Sequence, residues 1–209
     1  MAERVRNRLP VDSMAAITFD DGPDVTFTPL VLDELRRLGV RATFFLIGER
    51  AAAHPALVRR IVDEGHAIGS HSRSHAEPGT LGWRVVWDFW RGRRAVERAA
   101  GRRARLFRPP KGYVDRHERV GMSMAGVEPW LWTIDAEDWV PGTQPSDIIG
   151  KVEGLIGGDV VLLHDAISGP LAPEALDRSA TVAALADLVA LAHDRGLELV
   201  PLPVGQSRR

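Results

Sequence analysis

Along the chain, short continuous apolar runs alternate with longer stretches in which apolar positions recur every three or four residues. Ala15–Phe19 is an apolar run of strand length that stops at the acidic turn Asp20-Asp21-Gly22-Pro23. Pro29–Leu38 follows, with Leu30, Val31, Leu35 and Leu38 at helical spacing and Gly39 to close it. The same alternation predicts a strand at Val40–Ile47, a helix from about Pro55 to Glu64 and a short strand at His66–Ser70. A long helical stretch, Leu81–Ala100, ends at Gly101, and the strand-like Leu106–Arg108 stops at Pro109-Pro110. Next come a short helix at Glu118–Gly126, a strand at Trp130–Ile134, a helix at Ser146–Ile156 with Ser146 as N-cap, and a strand at Asp159–Leu163. A helix at Ala180–Asp194, halted by Gly196, and a strand at Leu197–Leu202 complete the series.

Seven strands alternating with about six helices, without a break in composition, indicate one α/β domain over 1–209 with its core at about 15–203 and a mostly parallel sheet. A short (β/α) barrel and a doubly wound sheet both suit this count, and both collect functional groups at the C-terminal ends of strands. Composition narrows the class: with 44% hydrophobic and 26% charged residues the chain can build a core and is no disordered tail. No uncharged apolar stretch approaches the roughly 18 residues of a membrane span. Without cysteine there is no disulfide framework, thiolate nucleophile or cysteine-based zinc site. A net charge of −1 sets up no overall field to gather nucleic acid or an anionic membrane. Glu3, Arg4, Arg6, Arg8 and Asp12 interrupt any apolar leader in residues 1–16, so the expected location is the cytoplasm, or else the chain is a trimmed form of a secreted protein.

The acids and histidines fall at strand ends. Asp20 and Asp21 follow the first strand, His71 and His75 the third, Arg108 ends the fourth, Asp135 and Asp138 follow the fifth, and His164 and Asp165 the sixth. All of these could meet on one rim. His71 and His75 are four residues apart, so one helical turn would put both imidazoles on a single face. Two histidines and a carboxylate, with a position open to water, form a catalytic divalent-metal site. Neither the histidine pair nor the Asp-Asp-Gly turn is specific alone; ordinary surface or core histidines and a common turn are the alternatives.

Taken in order, Thr18-Phe19-Asp20-Asp21-Gly22-Pro23, His71-Ser72-Arg73-Ser74-His75, Arg108-Pro109-Pro110, Asp135-Ala136-Glu137-Asp138-Trp139 and Leu162-Leu163-His164 resemble the five motifs of the polysaccharide deacetylase (NodB-type) family, carbohydrate esterase family four. The C-terminal helix and strand extend the resemblance to nearly the whole chain. It implies a distorted (β/α) barrel and metal-dependent removal of an N-acyl group, usually acetyl from an amino sugar. It further implies Asp21, His71 and His75 as metal ligands, Asp20 as general base with Arg108 as its partner, His164 as general acid held by Asp138, and Trp139 and Leu162 lining the pocket for the acyl methyl. Zinc (Zn2+) is the expected ion, and cobalt, nickel or iron(II) suit the same ligands.

The residue chemistry agrees with these roles. A divalent ion lowers the pKa of bound water from about 15.7 to about 7 and polarises a carbonyl. A carboxylate beside that water can take its proton, and a histidine with an ordinary pKa near 6.5 can protonate an amine. Arg108 can grip a carboxylate bidentately. One position departs from the resemblance: Lys111 stands where the family usually has tyrosine. Pro109 and Pro110 have no N–H, so the Lys111 backbone N–H is the first donor available to an oxyanion. Tyr113, the only tyrosine, is a candidate to take the missing side chain's place. Lys111 itself reads either as a cation at the pocket edge or as a solvated loop residue.

Other features have plainer readings. Trp83, Trp87 and Trp90 recur on one helix face and are expected to pack on the barrel, with sugar stacking as the alternative. Trp130 and Trp132 share a face of the predicted strand and read as structural. Residues 84–108 hold nine arginines against Asp88 and Glu97, either a solvated helix face or an attractor for an anionic substrate. His66 reads as structural, and His54, His117 and His193 as surface residues. The expected function is a metal-dependent N-deacetylase acting on an N-acylated amino sugar, its oligomer or its conjugate, with neither nucleic acid nor a membrane span involved. A deformylase or amidase on a small-molecule, nucleotide-linked or lipid-linked sugar keeps the same mechanism. A non-catalytic sugar-binding protein is the third reading, weakened because every expected catalytic position is filled.

Overall fold

A computed structural model describes residues 5–169 and 173–203. The elements run β1 (Met14–Asp20), α1 (Phe27–Leu38), β2 (Thr43–Leu46), α2 (Gly48–Ala53), α3 (Pro55–Asp63), β3 (Ala67–Ser70), α4 (Val85–Ala100), β4 (Leu106–Phe107), α5 (Arg116–Ala125), β5 (Glu128–Pro129), β6 (Ile134–Asp135), α6 (Pro145–Val152), β7 (Val160–His164), α7 (Pro173–Leu176), α8 (Ser179–Asp194) and β8 (Glu198–Leu199). The strand order is β5-β4-β3-β2-β1-β7-β6, with β8 beside the start of β1, and all of these ladders are parallel. The two ends of this path, β5 and β6, are consecutive in the chain and joined by residues 130–133. The sheet therefore curls nearly back on itself, a distorted (β/α) barrel left open at one seam. Among the described residues, no helix is long and apolar enough to cross a membrane.

The curl divides the core. On the outer face Ile17, Phe19, Phe44, Leu46, Val161 and Leu163 pack against helix residues such as Leu32, Leu35, Ile61, Leu185 and Leu188. Alternation along each strand sends the intervening residues inward, where Ala16, Phe45, Leu106, Trp130 and Val160 form a smaller cluster. Thr18 and Asp20 share the inward face of β1 with Ala16, which delivers Asp20 to the C-terminal mouth. Register places Asp20 beside Phe45 on one side and His164 on the other.

The structure differs from the sequence reading at several points. There are eight strands among the described residues, not seven. Trp130–Ile134 is not one strand: β5 precedes it and β6 takes only its end, because the Trp130 and Leu131 carbonyls accept hydrogen bonds from the buried Arg108 guanidinium. The N-cap of α6 is Gln144, not Ser146; Pro145 sits where a missing N–H costs nothing, and Asp147 reaches back to the Gln144 N–H. A 3-10 turn at Gly82–Arg84 leads into α4. That helix buries Val85, Phe89, Gly92, Ala95, Val96, Ala99 and Ala100. Small residues let it sit close to its neighbours and leave the tryptophans outside: Trp83, Trp87 and Trp90 are 60%, 62% and 44% exposed rather than packed on the barrel.

Candidate active site

The segment His71–His75 is not a helical turn. Ser72 and His75 have φ of 63° and 54°, and these left-handed residues fold the loop so that the imidazole centroids lie 5.0 Å apart. The loop is held from outside. The N–H groups of Gly48 and Glu49 donate to the Ser72 and Arg73 carbonyls, Asp88 accepts from the Arg73 N–H and the Ser74 hydroxyl, and Ser72 Oγ accepts the His75 N–H. Gly92 lies against this backbone so closely that a Cβ there would stand 2.3 Å from the Ser72 carbonyl carbon. Asp21, also left-handed at φ 73°, brings Oδ1 to 3.4 Å from both His71 Nε2 and His75 Nε2.

Behind these donors stands a buried ion pair. Arg108 Nη1 donates to Asp20 Oδ1 at 2.7 Å and to Thr18 Oγ1 at 2.8 Å, and the other guanidinium nitrogens donate to the Trp130 and Leu131 carbonyls. Phe45 and Trp132 lie under the guanidinium, 4.2 and 5.5 Å from ring centroid to Cζ. Burial pushes the Asp20 carboxyl above its usual range, and the Arg108 charge opposes it. On the opposite side Asp138 Oδ1 lies 2.7 Å from His164 Nδ1, while Oδ2 accepts the His164 backbone N–H and the Thr181 hydroxyl. Arg178 donates to the Asp138 carbonyl. Burial lowers the His164 pKa, but Asp138, then Asp21 and Asp20, outweigh it and raise it to about 9.

These groups meet in a cavity of about 590 Å³ at the C-terminal mouth. Of the residues expected from sequence, Asp20, Asp21, His71, His75, Lys111, Trp139, Leu162 and His164 line it. Arg108 and Asp138 are buried directly behind. Tyr113 does not join them: it lines a separate small cleft with Glu77, Gly79 and Glu118. The Lys111 ammonium pairs with Glu77 at 2.7 Å, and its backbone is left-handed, so three of the five described non-glycine residues with positive φ line this cavity. Such backbone clusters where surrounding contacts hold a site in shape. Trp132, read from sequence as structural, forms part of the wall, as do Asp135 and Ser168. Thr181, Arg178, Asp88 and Gly92 were not singled out for the site. Only Gly92 carries a sequence signal, as a glycine inside a helix where close approach is the usual reason.

A model of the polysaccharide deacetylase family matches residues 8–130. The chain belongs to that family. It is 38% identical over 193 residues to a peptidoglycan-N-acetylglucosamine deacetylase of Bacillus cereus, covering 90% of this chain and 86% of that one. It is 35% identical to a chitooligosaccharide deacetylase of Sinorhizobium fredii, covering 90% and 89%. Among solved structures, a family 4 acetyl xylan esterase from Clostridium thermocellum, in complex with a cobalt ion, superposes with a TM-score of 0.77 at 29% identity, covering 90% of this chain and 87% of that one.

The donor set of this chain fits a divalent cation. Tetrahedral ligands with bonds of about 2.0–2.2 Å stand about 3.3–3.6 Å apart, and Asp21 Oδ1 lies 3.4 Å from each histidine Nε2. His71 Nδ1 is 2.7 Å from the Arg108 carbonyl, which can only accept, so Nδ1 carries the proton and Nε2 keeps its lone pair. Burial holds His71 down at about 3, hence neutral. Asp21 Oδ2 accepts the Ser168 N–H, leaving Oδ1 for the ion.

Proposed function

We propose that this member of the polysaccharide deacetylase family removes the acetyl group from N-acetylglucosamine units of a glycan by divalent-metal-dependent hydrolysis. The observation that carries the reading is the meeting, in one cavity, of a three-donor cluster, a carboxylate backed by arginine and an imidazole backed by a carboxylate. The relatives' names point the same way for the substrate. An ion held by Asp21, His71 and His75, zinc first among those the ligands suit, would provide a water of lowered pKa and polarise the acyl carbonyl.

The remaining work falls to side chains of this chain. Asp20 takes a proton from the attacking water, and Arg108 keeps that carboxylate in place and favours its charged form. The water oxygen bonds to the acyl carbon, and the carbon–nitrogen bond breaks. His164 gives its proton to the departing amine, and Asp138 keeps Nδ1 protonated and the ring aimed. The Lys111 backbone N–H, first donor after two prolines, steadies the oxyanion. Leu162 and Trp139 give the acetyl methyl an apolar wall.

The test is acid release, acetate or formate, from chitin oligomers, peptidoglycan fragments, acetylated xylan, free N-acetylglucosamine, a nucleotide-linked N-acetyl sugar and formylated analogues, with chelator and with added zinc. Chelator-sensitive release from the N-acetylglucosamine polymers is expected. A metal-loaded protein that releases acid only from a small conjugate would move the substrate away from glycans, and one that releases none would favour a sugar-binding role.

A further inference from the structure

From residue 83 to residue 100 every exposed position is tryptophan or arginine. Trp83, Trp87 and Trp90 carry the aromatic surface, and Arg84, Arg91, Arg94 and Arg98 stand between and beyond them on one face of α4 and the 3-10 turn that leads into it. A solvated helix face mixes both signs of charge and hides its indoles. The acidic residues at these positions are occupied: Asp88 accepts from the His71–His75 loop, Glu97 pairs with Arg93 and Arg94, and Glu49, which reaches the surface beside Arg94, pairs with Arg73 at 3.1 Å. Among the described residues Arg84, Arg91 and Arg98 make no ion pair and no side-chain hydrogen bond.

The face is grooved. One cleft of about 440 Å³ runs between Arg73, Ser74, Arg84, Trp87 and Arg91, and another of about 490 Å³ between Arg73, Trp90, Arg91, Arg94 and Arg98. The clefts share Arg73 and Arg91, so they adjoin. The Trp87 and Trp90 rings stand at 85° with centroids 6.0 Å apart, so the two indoles present differently oriented walls rather than one flat apolar plane. Arg73 and Ser74 also belong to the loop whose ends, His71 and His75, line the catalytic cavity. That loop is a wall common to both surfaces. Indole faces offer apolar area with little entropy lost on binding, and free guanidinium forks match carboxylate and phosphate oxygens.

We propose that this face is a second binding surface for an anionic glycan strand, one bearing carboxylate or phosphate groups among its sugars, and that it grips polymer beyond the catalytic cavity. The inference rests on the deacetylase reading for what fills the cavity, but its binding test needs no turnover. The probes are a hexasaccharide of alternating glucuronate and N-acetylglucosamine, neutral chitohexaose, vesicles of anionic phospholipid and oligouridine. Each is titrated calorimetrically into the native protein, Arg84→Ala/Arg91→Ala and Trp87→Ala/Trp90→Ala. All four side chains are exposed and alanine favours helix, so the fold should survive, which circular dichroism checks.

The arginine variant should bind the carboxylated hexamer about tenfold more weakly or worse, as losing a charge-assisted contact requires, while chitohexaose changes less than about twofold. The tryptophan variant should also weaken the hexamer by about tenfold. Acetate release from a short neutral trimer should be unchanged in both variants. Unaltered hexamer binding in both variants overturns the proposal. So does a loss confined to vesicles or to oligouridine, which would assign the face to a bilayer or to nucleic acid. If no protein releases acetate yet the hexamer binds and the variants lose it, the deacetylase reading fails and this surface stands.

Discussion

Replacing Asp138 with asparagine tests the acid half of the mechanism with almost no change of shape. Oδ2 of Asp138 accepts from the His164 backbone N–H and the Thr181 hydroxyl, both at 2.8 Å, and Oδ1 lies 2.7 Å from His164 Nδ1. A backbone N–H cannot become an acceptor. Asparagine must therefore put its carbonyl oxygen in the place of Oδ2 and turn its amide NH2 toward Nδ1. The His164 ring then has to accept at Nδ1 and carry its single proton on Nε2. Imidazolium, a donor at both nitrogens, would face a donor. In the native protein the charged form is held up to a pKa of about 9, with Asp138 its largest support against burial. A fall from about 9 to the ordinary 6.5 or below disfavours imidazolium by about 3 kcal/mol.

At neutral pH the variant would keep only a minor fraction of its acid form, and kcat on an N-acetyl oligosaccharide should drop by about 10²-fold, within the range typical of general acid catalysis. Metal content should not change, because His164 is outside the proposed ligand set. The decisive comparison uses 4-nitrophenyl acetate, whose leaving group departs as a stable anion and needs no proton; its hydrolysis should fall by no more than about threefold. Equal losses on amide and aryl ester would refute the acid assignment, and so would undiminished amide turnover.

His75→Ala should leave the protein short of bound metal by elemental analysis, whereas Asp20→Asn should stay metallated and lose turnover; a fully metallated His75→Ala protein removes His75 from the ligand set. Gly92→Ala puts a Cβ 2.3–2.6 Å from the Ser72 carbonyl and the Arg73 nitrogen, so it should cost about 1–3 kcal/mol in thermal unfolding and weaken metal binding as well; an unchanged metal affinity would show that the loop tolerates displacement. His66 is held neutral at about 4 by burial, its Nδ1 accepting the Ala42 N–H, so its contribution is whole above the unfolded value of 6.5 and is lost as pH falls toward 4. Between pH 7 and 4.5 the stabilities of native and His66→Asn proteins, measured by chemical denaturation, should draw together or apart by about 2 kcal/mol, and parallel profiles would contradict this account.

What could be read from sequence was whatever a strand end decides locally. An apolar run that stops at Asp20 or His164 fixes where those side chains emerge, and parallel pairing of β1 with β7 then sets the two beside each other. The His71–His75 pairing was anticipated by spacing, but for the wrong reason. The residues that bend that loop, Gly48, Asp88 and Gly92, are remote in sequence and carry no metal chemistry of their own. The tryptophan stripe failed in the opposite sense: its helical period was right and its direction wrong, since α4 needed glycine and alanine on its inner face to approach the loop at all.

Arg108 joins these two kinds of information. Its motif marks it as a partner for Asp20, yet nothing local says that its other donors will capture the Trp130 and Leu131 carbonyls and interrupt a strand that periodicity predicts. Its own carbonyl meanwhile fixes the tautomer of His71. A single residue thus ties the connection between β5 and β6 to the barrel, positions the carboxylate proposed as base and decides which histidine nitrogen is free for a cation. Arg108→Lys would keep the charge but could not span four acceptors from one rigid plane. It would therefore disturb packing, base and metal site together, where a residue serving only Asp20 would disturb one.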